Sequence, residues 1–512
     1  MASIAASASA GGGESAAARR RFALAAAAIF AVLTVPRLLA HELWRDEAWQ
    51  WLVVRESHSL GQLFDGTSRG GGVGYVFPLL CYAARQLSTS PRAMQIVHLG
   101  LATAAAFVFA RWAPLQRRER ALLVLGYFPF YEYAVISRSY SASALLLWLA
   151  CAAAAGRWPL LVLGAAVALL CQTTVYGFIL AIALGAGWLV RQRIAPEPRA
   201  WRWSDAASAG AVAAAGAIAG LVQLHQAPGT RVPGWRFDWV PVAALKPAMM
   251  AWRAFVPVPR LQLGFWNSNV LDPWPLCQAL AGLSILALGF ALLWRSKAAV
   301  TTFAVGAAGL LAFSYLVLQG EMRHHGNLWL LFTAALWLGG GAGFLDEPRS
   351  WRAKTLLAML AVQCAAAAYA SWMDLRHPFS NGAATAALIR AEGLDRFPLL
   401  GHREPPAATV ALYLERPLYA PSRKVYTTHP DWGPRQRELS EPEVRCAARE
   451  LARREARDVV LVVNRTLPPW PEVAAAGART GAIVRSEDYH LYRLRHDALA
   501  ATAQDAACAA GD

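Results

Sequence analysis

Long apolar runs of roughly bilayer-spanning length recur along most of this chain, and no other feature limits its fold as much. A run of about 20 apolar residues can cross a bilayer only as a helix, because a lipid-exposed backbone has to satisfy its own hydrogen bonds. Across 512 residues, 56% are hydrophobic and 16% charged, with a mean hydropathy of +0.32. The sequence therefore predicts an α-helical polytopic membrane protein. The net charge of +16 does not indicate nucleic acid. Its arginines cluster in short links between apolar runs, where they set topology rather than read a phosphate backbone, and no nucleic-acid-binding motif is present.

The basic links fix the crossings. Residues 1–21 form an alanine-, serine- and glycine-rich leader, expected to be disordered and cytoplasmic, ending in Arg19, Arg20 and Arg21. Crossings are expected near 22–40, 92–111, 121–136, 141–155, 158–173, 175–190, 204–224, 276–294, 300–318, 327–345 and 355–372. The segment Gly74 to Gln86 is too short to span and reads as an interfacial helix. Residues 225–275 read as an outer loop rich in Trp and Pro. About eleven helices place the N-terminus inside and the C-terminus outside. The domain plan is then the leader (1–21), a transmembrane domain (22–372) and a soluble extracytoplasmic domain (373–512). In the last, strand-like Val459 to Val463 and Tyr489 to Leu494 alternate with helical Ala383 to Glu392 and Glu441 to Arg457, which predicts a small α/β fold. Seven cysteines without CxxC spacing indicate neither a metal site nor a disulfide framework; Cys446 and Cys508 in the tail are able to pair if it faces an oxidising compartment.

On this topology the unusual polar residues gather on the outer side. Directly after the first apolar run comes HELWRDEAWQW, residues 41–51, whose adjacent Asp46 and Glu47 stand among Trp44, Trp49 and Trp51, the residue type that anchors at a bilayer interface. Further outer links carry Glu132, Arg138 with Tyr140, the run from Gln172 to Gly177, and Glu321, Arg323, His324 and His325. Each alone has an ordinary structural reading, such as an arginine snorkelling or an aromatic in the interfacial belt. Together they suit a membrane-face cavity for a lipid phosphate. Arginine grips phosphate through a bidentate fork, and a carboxylate beside it can deprotonate a hydroxyl or share a divalent cation with the phosphate.

RDEAW and EYAVISRSY resemble the corresponding stretches of the GT-C membrane glycosyltransferases, the superfamily of the protein mannosyltransferases and the bacterial aminoarabinose transferases. The layout of residues 22–372 is similar to theirs. Where many relatives carry His-Pro-Pro at the start of the interfacial helix, this chain has Gly74-Tyr75-Val76-Phe77-Pro78. The resemblance implies an inverting glycosyltransferase of the inner membrane. It implies a polyprenyl-phosphate sugar donor and a glycan, lipid or protein acceptor. Asp46 would be the general base, Glu47 a metal or acceptor contact, and Arg138 and Tyr140 the donor-phosphate ligands. Glu132, Arg323, His324 or His325 would close the site, with a divalent cation (Mg, Mn or Zn) as the one cofactor. The rival readings are a transporter or flippase for lipid-linked glycans, which needs polar residues in mid-helix, and a non-catalytic envelope-assembly protein.

Overall fold

The computed structural model describes residues 14–70, 72–156, 158–194, 202–224, 235–238, 240–340, 350–430, 432–433 and 436–499. Most of the expected leader, Arg157, most of the basic link after Arg193, Arg349 and Cys508 lie outside them. The chain divides into two compact units. One comprises Met1–Leu39, Gly71–Gln226 and Val232–Trp372; the other comprises Ala40–Gly70, Ala227–Arg231 and Met373–Asp512.

The first unit is helical. Among the described residues seven helices are long and apolar enough to cross a membrane. They are α1 (Ala16–Ala40), α5 (Arg92–Trp112), α9 (Val175–Ile194), α10 (Trp203–Leu224), α12 (Pro275–Leu293), α13 (Lys297–Leu316) and α15 (Trp351–Arg376). Shorter apolar helices are α4 (Val76–Arg85), α7 (Tyr140–Ala154) and α8 (Leu160–Leu170), and α14 runs Met322–Leu338. The chain is thus a multi-pass membrane protein.

Small residues let these helices approach closely, as expected where lipid gives no hydrophobic drive between helices. A Cβ on Gly216 of α10 would stand 2.2 Å from the Ala168 Cβ of α8, and one on Gly187 of α9 would meet Thr302 of α13 at 1.8 Å. Faces left outside are apolar: Val32, Ile218 and Val222 are exposed, as a lipid-facing surface requires. Arg37, just after Pro36 in α1, is buried instead of snorkelling. Its guanidinium donates to the Leu33 and Phe130 carbonyls and to the Thr34 and Ser371 hydroxyls, and lies 3.7 Å over the Phe130 ring.

Two expectations for this unit need correction. Residues 121–136 are not one spanning helix. They divide into α6 (Arg117–Val124), a π-helical turn (Phe128–Glu132) and a non-helical stretch up to Ser139. Gly126 and Pro129 weaken and interrupt the backbone ladder there. The stretch read as an outer loop contains α11 (Pro241–Phe255), which starts with proline at a position that needs no N–H and keeps a second, Pro247, inside it. It packs against α12, where a Cβ on Gly282 would touch the Ala248 carbonyl.

The second unit joins α2 (Arg45–Glu56) and α3 (Leu60–Ser68) to the C-terminal α/β fold. Its strands are β1 (Leu399–His402), β2 (Leu418–Ala420), β3 (Val425–Thr427), β4 (Val459–Val463), β5 (Val473–Arg479) and β6 (Tyr489–Leu494). They form one mixed sheet in the order β3-β2-β1-β4-β6-β5, parallel only among β2, β1 and β4. Every residue of β4 is buried because both faces are covered. Val460 and Val462 lie in the same apolar cluster as residues of α16 (Gly382–Ala391) and α17 (Glu404–Leu414), while Val459, Leu461 and Val463 share theirs with α18 (Glu441–Glu455).

Candidate functional site

The acidic segment belongs to the second unit, where its buried partners decide what each acid is able to do. Glu47 sits in the first turn of α2, where a carboxylate favours the helix start, and accepts the Trp44 N–H at 3.3 Å. Its Oε2 also lies 3.0 Å from His41 Nε2, while His41 Nδ1 lies 3.0 Å from Asp374 Oδ2. With a carboxylate at each ring nitrogen, His41 donates from both and is an imidazolium. Burial works against that charge, but Asp374 and Glu47 outweigh it and carry the group up to about 10. The Phe379 ring packs 4.5 Å from the imidazole.

A second buried carboxylate ties down the start of α2. Glu487 accepts the Arg45 N–H at 3.1 Å and the hydroxyls of Ser380, Thr409 and Tyr489 at 2.9–3.0 Å. Burial pushes it up to about 7, against the pull of Arg45. Glu42 is likewise raised to about 7 by burial; His41 opposes the rise and Asp374 adds to it, and its Oε2 is buried without a hydrogen-bond partner.

Of the adjacent acids, Glu47 has no exposed side-chain surface, whereas Asp46 keeps 18% exposed, its Oδ1 3.9 Å from Arg45 Nε. The tryptophans are not interfacial anchors here. Trp44, Trp49 and Trp51 are all buried, and Trp49 lies so close to Gly70 that a Cβ there would overlap its ring.

In the first unit, the N-terminal ends of α7, α9 and α14 meet. Tyr133 stacks on Tyr140 at 5.2 Å, Tyr140 meets His324 edge-on at 6.1 Å, and His324 stacks on Tyr176 at 5.2 Å. The Tyr133 hydroxyl donates to the Arg323 carbonyl at 2.6 Å, and the approach is close because Gly326 has no Cβ to strike Phe128 and Tyr133. His324 Nδ1 accepts the Glu321 N–H at 2.8 Å, so Nε2 carries the ring's remaining proton. The Tyr176 hydroxyl is buried and has no hydrogen-bond partner. Arg138, part-exposed, lies in the non-helical stretch immediately before α7.

Around this cluster the other candidates also have partners. Arg323 pairs with Glu321 and lies over Trp266, and Glu321 also accepts from Asn267 at 3.1 Å. Glu132 is buried and accepts from Tyr127 at 3.1 Å and from Trp266 at 3.2 Å. His325 turns away from His324, with Nε2 3.3 Å from the Gln319 carbonyl. The polar link after α8 is also organised: Gly74 N–H donates to the Thr173 carbonyl at 3.0 Å, a contact only glycine permits, and Gln223 bridges Gln172 and Tyr75.

Among the described residues no group of three His, Cys, Asp or Glu side chains is placed to hold a metal ion. Glu47, the expected ligand, has its carboxylate turned to His41 and the helix start. Sequence reasoning quoted His41 without giving it a role and passed over Glu42. It had no means of finding Asp374 or Glu487, which lie 333 residues from the His41 side chain and 442 residues from the Arg45 N–H they respectively serve. Trp266 and Asn267 lie in what read as an outer loop rich in Trp and Pro, where neither was singled out.

No model of a protein family matches the sequence, and no curated protein does. Among solved structures the chain is similar to the crystal structure of ArnT from Cupriavidus metallidurans bound to undecaprenyl phosphate. That likeness has 13% identity and a TM-score of 0.47, over 92% of this chain and 97% of that one.

Proposed function

We propose that the protein is an inverting membrane glycosyltransferase that takes a sugar from a polyprenyl-phosphate donor and gives it to an extracytoplasmic lipid, glycan or protein acceptor. The observation that carries this reading is the meeting of Tyr133, Tyr140, Tyr176 and His324 at the ends of three membrane-domain helices, directly beside Arg138. Such a cluster offers a guanidinium fork, a ring N–H and hydroxyls to phosphate oxygens, with an apolar helical surround suited to a lipid tail. A sugar attached to the ligand named for ArnT would be a donor of this class.

In the proposed reaction an acceptor hydroxyl oxygen attacks the anomeric carbon. The bond from that carbon to the phosphate oxygen breaks, polyprenyl phosphate leaves with the electron pair, and the hydroxyl proton passes to Asp46. Arg138 and Tyr140 hold the phosphate as its charge grows. We assign Glu47, with His41 and Asp374, the positioning of the first turn of α2, and hence the direction of Asp46. The residues around Glu47 do not fit a divalent cation, so no step runs through one.

The test is sugar transfer from a polyprenyl-phosphate donor, assayed in membranes holding matched amounts of the parent and Asp46→Asn. Losing the base should slow transfer by roughly a hundred- to ten-thousand-fold with the melting temperature unchanged. Full activity in Asp46→Asn would remove the base from this mechanism.

A further inference from the structure

The C-terminal sheet has a point where chain connections diverge. From β1 the chain leaves through α17 to β2 on one side, while β4, on the other side, is reached through α18. In open α/β sheets the crevice beyond the carboxyl ends of two such strands is where ligands sit. Here the ends are aligned, His402 of β1 opposite Val463 of β4, and the chain continues into Arg403 on one strand and Asn464-Arg465 on the other.

Three buried polar atoms on these residues have no hydrogen-bond partner: His402 Nε2, Asn464 Oδ1 and Arg465 Nη2. His402 is only 3% exposed. The Asn464 amide is oriented by its own bond from Nδ2 to the Ser486 carbonyl, 3.1 Å, which turns Oδ1 the other way. Unmet hydrogen-bonding capacity on a buried atom is costly, most of all on a guanidinium, and here three such atoms stand on the residues that end two neighbouring strands. Arg403 adds backbone strain, with φ of 31° on a residue that has a Cβ, and its guanidinium is held by Glu438.

The chemistry of these atoms limits what they bind. A guanidinium N–H with no acceptor calls for an oxyanion. Burial, with Arg465 and Arg403 outweighing Glu438, lowers His402 to about 4, so at neutral pH the imidazole is uncharged and the local field comes from the arginines. The start of α17 offers little to an anion, since Pro405 and Pro406 have no N–H, so side chains supply the donors. Asn464 Oδ1 can only accept, so it suits a donor on the ligand such as a hydroxyl.

We propose that the carboxyl edge between β1 and β4 binds an oxyanion, carboxylate or phosphate, on a hydroxylated carrier such as an acidic sugar. Arg465 and His402 hold the anion and Asn464 Oδ1 accepts from a neighbouring hydroxyl. This assignment goes beyond the transferase reading and does not depend on it.

The experiment is saturation-transfer NMR on the full-length protein in nanodiscs, titrated separately with glucuronate, glucose 6-phosphate and glucose. At least one of the two anionic sugars should bind saturably, and which of them binds tells carboxylate from phosphate. Glucose should bind at least roughly ten-fold more weakly. Arg465→Gln should weaken the anionic ligand by roughly ten- to a hundred-fold, the loss of one charge-assisted contact. Asn464→Asp, which sets a carboxylate beside the anion, should weaken it comparably and serves alone if Arg465→Gln does not fold. Saturation by neither anion, equal binding of glucose, or parent-like affinity in a folded variant overturns the assignment. Binding is read without any transfer reaction, so a failure here and a failure of the glycosyltransferase reading are separate results.

Discussion

Replacing His41 by Gln should unfold the second unit far more readily than a surface change would, and it should remove a particular pH dependence. His41 is fully buried between Asp374 and Glu47, and its pKa lies near 10 when folded against 6.5 for a free imidazole. At ~1.36 kcal/mol per pH unit, that rise corresponds to about 5 kcal/mol favouring the charged, folded form. Removing one member of a buried ion cluster typically costs about 3–5 kcal/mol, because the others stay buried and uncompensated. For a domain of this size the melting temperature should fall by roughly 6–20 °C. The sign of the pH effect follows from the direction of the shift. A group whose pKa is raised on folding stabilises fully below its unfolded value, so the contribution is complete below 6.5 and is lost as pH climbs from 6.5 to about 10. The assay is thermal unfolding of the full-length protein followed by tryptophan fluorescence at pH 6, 8 and 9.5. The parent should lose stability across that window, and His41→Gln should start lower and respond much less. The double variant His41→Gln with Asp374→Asn should recover part of the loss, since it removes one stranded charge. If His41→Gln melts within about 2 °C of the parent at pH 6, or keeps the parent's slope to pH 9.5, the imidazolium does not hold this unit together.

Arg138→Lys keeps the charge but loses the fork, so binding of a polyprenyl-phosphate donor, measured by titration in nanodiscs, should weaken about ten-fold with the fold intact; equal binding by Arg138→Ala and the parent would remove Arg138 from the phosphate site. Exposed His58 and Lys424, replaced singly by Cys, should react with an impermeant maleimide in intact cells, and Arg118→Cys only after permeabilisation. Labelling of Arg118→Cys in intact cells would reverse the proposed orientation. Glu487→Ala strips the acceptor from the Arg45 N–H and three hydroxyls and should cost at least ~2 kcal/mol in the same melts. Gly216→Leu should separate α10 from α8 and lower the yield of folded protein in detergent, whereas the same change at Gly210, with open space around its Cβ, should not.

Local pattern alone specified much of this protein. Runs such as Phe22 to Ala40 have only a helical solution in lipid, and short strand-like runs such as Val459 to Val463 and Tyr489 to Leu494, set between helical stretches, have few solutions other than an α/β fold. Both signals lie within one stretch of chain, so the helical membrane layout and the small α/β fold were legible without coordinates. The polar links were legible for the same reason: an arginine or a histidine pair at the end of an apolar run stands out by composition. What each polar side chain faces was not. Asp46 and Glu47 are adjacent in sequence and equivalent in chemistry, yet the α-helix turns them about 100° apart, and one keeps an exposed edge while the other is sealed against His41. That difference was made by Asp374 and Glu487, hundreds of residues along the chain. Trp44, Trp49 and Trp51 look like an interfacial belt in one dimension and are packing residues in three. The break at Gly126 and Pro129, and the helix from Pro241 to Phe255, likewise depended on neighbours. Proline and glycine bias a backbone locally, but packing against other helices decides whether the bias prevails.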